Sequence, residues 1–149
     1  MKIMRRLAMI LFGSFLFVSL GMAAQERIDP SLGFTLENEF ASYVFEPVGM
    51  GLSAIIDLAT GYNHLDPVEG KHLLWRIVFG KGIQRPSIDN NDKPCSYGSL
   101  TRKDNGDQEL ILEWNALRFW NEDSICSVKV TIGLPADEGI AKWGISVSN

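Results

Sequence analysis

The residues able to do chemistry are a few carboxylates, two histidines, two cysteines and four tryptophans. Glycoside hydrolysis needs two carboxyls about 5–9.5 Å apart. Glu109 and Glu113 share one face of a strand-like run, but four residues at about 3.4 Å each separate them by roughly 13 Å. A solvated strand face explains both. Glu37 and Glu39 flank Asn38 where two short strands meet, and a turn accounts for them. The sequence therefore offers no acid/base pair. His64-Leu65-Asp66 and the later His72 lack the short fixed spacing of a zinc site. Asp89-Asn90-Asn91-Asp92 carries oxygen ligands of the kind calcium uses, but neither the glycine nor the distal glutamate of a calcium loop. A plain turn is expected there, with no metal and no cofactor. No serine stands in a nucleophile-elbow context, and there is no glycine-rich phosphate loop.

The tryptophans are more informative. Trp114 and Trp143 fall on the apolar faces of alternating runs, which is core packing. Trp75 lies in an apolar run beside Arg76, the only charge there, and such a charge must be paired or reach the surface. Trp120 follows Arg118 and precedes Asn121-Glu122-Asp123. A tryptophan ringed by polar groups can stack on the apolar face of a sugar. Trp120 is thus the first candidate carbohydrate contact, with Trp75 and Arg76 behind it; a ring half-buried under a loop is the structural alternative. Cys95 and Cys126 are the only cysteines. An oxidising compartment permits a disulfide between them, whereas Cys126 on an apolar strand face also fits a buried free thiol.

The elements that must position these residues are strands. Cys126, Val128, Val130 and Ile132 alternate with Ser127, Lys129 and Thr131; Ala141, Trp143, Ile145 and Val147 alternate with Lys142, Gly144, Ser146 and Ser148. Leu110, Leu112 and Trp114 alternate with Glu109, Ile111 and Glu113, and Leu52, Ala54, Ile56 and Leu58 with Ser53, Ile55 and Asp57. Each reads as a half-buried strand with one face on a core. Residues 73–79, apolar on both faces except Arg76, read as a more central strand. Runs at 33–36 and 40–45 complete seven or eight. All six prolines fall outside these runs. Asn105-Gly106 predicts a tight hairpin with a type I′ turn, and residues 60–63 and 136–139 are further turns. Strands joined by turns, with no helical period between, mean an all-β chain folded as an antiparallel β-sandwich.

The N-terminus reads as a secretory signal peptide. Lys2, Arg5 and Arg6 precede an uncharged apolar run from Leu7 to Leu20, and Gly21-Met22-Ala23 places small residues at the −3 and −1 positions of a cut after Ala23. The run is shorter than the about 20 residues of a spanning helix; an uncleaved anchor is the alternative. Residues 1–23 are thus expected to be removed and 24–149 to form one domain, secreted or held in the periplasm or cell envelope, with no membrane contact after cleavage. Of 14 Lys and Arg and 18 Asp and Glu, three cations leave with the signal, so the mature part has 11 against 18, a net −7. A domain this acidic, with scattered Lys and Arg, has no electrostatic reason to bind nucleic acid or an anionic membrane.

The order Leu36-Glu37-Asn38, then residues 51–61 ending Asp57-Leu58-Ala59-Thr60-Gly61, then Leu74-Trp75-Arg76-Ile77, then the long pair 110–114 and 128–134, then residues 141–149 resembles a known pattern. It is similar to the N-terminal galactose-mutarotase-like β-sandwich (supersandwich) domain of large secreted bacterial proteins related to glycoside hydrolases. The resemblance implies that the catalytic carboxylates lie in a following barrel domain and carries no catalytic residue onto this sequence. It also implies that the strand at 143–149 belongs to the middle of a sandwich incomplete at its C-terminus, whose partner strands lie in a further C-terminal part of a longer chain. The expected function is a non-catalytic portion of an exported carbohydrate-active protein. Its rivals are a stand-alone carbohydrate-binding module and a structural envelope domain without a small ligand. An uncovered apolar sheet face or open edge favours the first, an exposed aromatic strip the second, a fully closed sandwich the third.

Overall fold

A computed structural model describes residues 23–65, 72–78, 87–119 and 124–149. The signal-peptide reading, all but Ala23, and the Trp120 assignment lie outside the described residues. The strands are β1 (Ala24–Ile28), β2 (Phe34–Glu37), β3 (Ala41–Phe45), β4 (Leu52–Asp57), β5 (Arg76–Val78), β6 (Ser87–Asp89), β7 (Tyr97–Arg102), β8 (Gln108–Phe119), β9 (Ser124–Leu134) and β10 (Lys142–Ser148), with one 3₁₀ turn at Pro30–Leu32. They form a five-stranded sheet in the order β1-β7-β8-β9-β10, a three-stranded sheet β2-β3-β4 and the two-stranded ribbon β5-β6. All pairings are antiparallel. The two larger sheets pack face to face, so the chain is an antiparallel β-sandwich, as the alternation predicts.

Period-2 patterning builds the core. Leu110, Leu112 and Trp114 of β8 stand opposite Ile132, Val130 and Val128 of β9, and all six are buried. Leu36, Tyr43, Phe45 and Met50 come from the three-stranded sheet and its loop to complete one cluster. Each such side chain contributes about 1.5–3 kcal/mol when fully buried. The sheets are also tied by Gln108 Nε2, which donates to Glu37 O at 2.6 Å.

Three expectations are corrected, and one strand comes without a patterning signal. β1 is a strand although its sequence is polar. It adds to the β7 edge by backbone pairing, Glu26 bonds Arg102 at 3.1 Å, and only Ile28 reaches the core. The apolar run at 73–79, described as far as residue 78, is no central strand there: β5 covers three residues and, among the described residues, pairs with β6 alone. In β4 the pairing shifts between Val44 and Phe45, so Ser53 is an extra residue. That bulge turns Leu52 and Ile55 onto the core and takes Ala54 and Ile56 off the expected face. The β7–β8 hairpin forms, but Asn105 lacks the positive φ of a type I′ turn. Gly106 alone has it, at φ 88°, and its N–H donates to Lys103 O at 2.9 Å, a type I turn closed by a left-handed glycine.

Candidate functional site

Of the residues expected to contact a sugar, the two described ones, Trp75 and Arg76, are engaged within the domain. Trp75 is buried, its ring edge-on to Trp114 with centroids 5.4 Å apart. A ring packed into the core offers no face to a sugar, so Trp75 is corrected from platform to core residue. Arg76 is half-exposed and spends its guanidinium on Asp89, 3.0 Å away across the β5–β6 ribbon. That pairing is what a lone charge in an apolar run requires. Behind both sits Asn90, fully buried. Its Oδ1 accepts the N–H of Leu74 at 2.7 Å and of Trp75 at 3.4 Å; its Nδ2 donates to Gly49 O at 3.2 Å and His72 O at 3.1 Å. The Asp89–Asp92 segment is therefore the expected turn, and it also clasps the segment before β5.

Several other polar groups are engaged as well. Glu113 faces Lys129 at 3.6 Å across β8 and β9. Glu37 and Glu39 flank a turn closed by Asn38, whose Oδ1 accepts from the N–H of Phe40 and of Ala41, both at 2.9 Å. His72 Nδ1 lies 2.7 Å from Glu46, while His64 packs edge-to-face with Tyr62 at 5.1 Å. Among the described residues no three His, Cys, Asp or Glu side chains gather where they could hold a metal. The disulfide considered between Cys95 and Cys126 is not formed; both are free thiols. Cys95 Sγ donates to Tyr97 O at 3.2 Å, and burial pushes its thiol up to about 11.

The surface that stands out is β10. It is the last strand of the five-stranded sheet and pairs with β9 through all seven residues without a bulge. Trp143, Ile145 and Val147 stand opposite Ile132, Val130 and Val128, so the register puts them on the core face, as expected. They are nonetheless 41%, 56% and 54% exposed. The expectation that Ile145 and Val147 are buried is thus overturned, and the cause is lateral position rather than register. The opposing sheet reaches only Trp143, whose ring centroid lies 6.2 Å from Tyr43 and 6.4 Å from Phe45. Nothing among the described residues covers the rest of the row.

The other edges of the two larger sheets are protected in the ways natural edge strands are. β1 carries Glu26 and Arg27, β2 has four residues and a charge, and β4 is bulged and bridged at Ile56 by Asn63. β10 has a single charge, Lys142 at its start, and no proline. It presents one unpaired side of backbone donors and acceptors beside an apolar row. That is the equipment for adding a strand. The alternation and low charge of this run were visible in the sequence; the extent of the opposing sheet was not. Comparison with known protein families, with curated proteins and with solved structures finds no match, so the surface is read from its own geometry.

Proposed function

We propose that this chain is the non-catalytic β-sandwich portion of an exported carbohydrate-active protein of the glycoside-hydrolase-related kind, and that β10 is the seam on which further β-structure of that protein is laid. One observation carries the reading: the apolar row Trp143, Ile145 and Val147 lies half bare on an undefended sheet edge. A bare apolar row is costly in water, and covering it recovers about 25 cal/mol for each Å² removed. The carbohydrate assignment rests on the resemblance of the strand order. A stand-alone sugar-binding module draws little support from the described residues, since Trp75 is interior and Arg76 is paired.

The test compares this chain with the natural reading frame continued past the Asn149 codon. Amide hydrogen exchange of the N–H groups within 143–147 that point away from β9 is the readout. Fast exchange in this chain and strong protection in the longer one is the expected result. Strong protection in the monomeric 24–149 protein, or an exposed β10 in the longer one, overturns the proposal. Export has its own test: the mature protein starts near Ala24, and mass spectrometry finding Met1 retained refutes it. The accessory role predicts no turnover of chromogenic glycosides by this chain. Turnover abolished by Glu113→Gln or Glu37→Gln would make it an enzyme.

A further inference from the structure

Near the end of the three-stranded sheet lies a cleft of about 310 Å³, walled by Phe40, Ile55 and Ile140 and rimmed by Glu39, Asp57 and His64. It is built before anything enters it. Asn38 Nδ2 donates to Pro135 O at 2.7 Å and to Glu138 O at 2.8 Å. The Tyr43 hydroxyl donates to Gly139 O at 2.7 Å and accepts the Ala141 N–H at 3.0 Å. These bonds fix the β9–β10 loop, one wall, to the start of β3, the other, although they lie nearly a hundred residues apart. A preformed cleft spares a ligand most of the cost of ordering its site.

The chemistry of the walls is one-sided. Phe40 is 41% and Ile140 71% exposed, more apolar surface than a rim needs. Asp57 Oδ1 accepts from the N–H of Ala59 at 2.9 Å and of Thr60 at 3.0 Å, and these bonds hold its carboxyl below the usual carboxylate range. Among the described residues, no lysine or arginine lines the cleft. The nearby Lys142 lies 3.7 Å from Glu138. An anion would meet like charge here. A neutral apolar ligand would dry the carboxylates without pairing them. The complement of apolar walls and carboxylates without a cation partner among the described residues is a flexible apolar stem ending in a cation.

We propose that this cleft takes the side chain of a lysine or arginine presented by a partner polypeptide, its methylene stem against Phe40 and Ile140 and its charged head against the Glu39 and Asp57 carboxylates. The site is separate from the β10 seam, and either can fail alone.

Amide NMR spectra of the isotope-labelled protein test this, with blocked single amino acids as probes. N-acetyl-lysine and N-acetyl-arginine methylamides should shift the amides of Ala59, His64, Gly139 and Ile140 at millimolar concentration, and added salt should weaken them several-fold. N-acetyl-norleucine methylamide, the uncharged stem, and methyl pyranosides should leave those amides in place. The Glu39→Gln/Asp57→Asn double variant keeps the Oδ1 that caps the Asp57 turn, so its remaining spectrum should be unchanged while the basic probes bind about tenfold more weakly. Equal shifts from norleucine, stronger shifts from a pyranoside, an unaltered affinity in the double variant, or no response to either basic probe would each overturn the proposal.

Discussion

Replacing Asn90 should cost far more than its place in a polar Asp-Asn-Asn-Asp turn suggests. Asn90→Ala removes two acceptor contacts, to the N–H groups of Leu74 and Trp75, and two donor contacts, to Gly49 O and His72 O. His72 O keeps a second donor, Asn91 Nδ2 at 3.1 Å. The Trp75 bond is long, so little is lost there. Two groups remain without partners, the Leu74 N–H and the Gly49 carbonyl. At about 1–3 kcal/mol for each orphaned buried group, the expected loss is about 3 kcal/mol. For a domain of this size that lowers the melting temperature by about 10 °C. Asn90→Asp should be no better. It keeps the acceptor but aims a carboxylate oxygen at two carbonyls in a buried site. Asn91→Ala is the control: it removes the single, half-buried bond to His72 O and should cost under about 1 kcal/mol. Urea unfolding followed by tryptophan fluorescence measures all three, because Trp75 and Trp114 touch in the core beside this turn. If Asn90→Ala loses no more than Asn91→Ala, the clasp does not hold the segment before β5 and the reasoning fails.

Three further outcomes are expected. Val130→Asp, placing an unpaired charge at a fully buried site, should unfold the domain by several kcal/mol, whereas Lys129→Asp on the outer face, where it meets Glu113, should cost about 1 kcal/mol or less by circular dichroism melts; equal effects would show the register to be wrong. The Cys95 thiol, raised to about 11, should resist thiol reagents in the folded protein at pH 8 and react at once in denaturant. Since its folded pKa lies above the unfolded value, its contribution to stability is complete below pH 9 and is lost as pH rises toward 11, and rapid labelling of native protein would contradict this. Val48 is half-exposed at φ 69°, so Val48→Gly should relieve about 1 kcal/mol of backbone strain net of the glycine's added unfolded-state freedom; a lower urea midpoint would refute the strain.

What the sequence disclosed and what it hid follow from what alternation can report. It states which residues share a face, and on β8 and β9 that sufficed: Leu110, Leu112, Trp114, Val128, Val130 and Ile132 are interior as read. It fails by one residue wherever a bulge intervenes, which is why Ile55 rather than Ile56 packs on the core. It is silent where pairing rather than patterning makes the strand, as in β1. It also cannot say whether anything lies across the face it defines. Trp143, Ile145 and Val147 obey the same alternation as Ile132, Val130 and Val128, and their register confirms the shared face, yet one row is interior and the other half bare. The difference is made by where the three-stranded sheet ends, set by contacts between residues far apart in the chain, such as Tyr43 with Gly139 and Ala141. The candidate seam could therefore be seen only once strand and sheet were placed together, because alternation defines a face and the opposing sheet decides whether that face is covered.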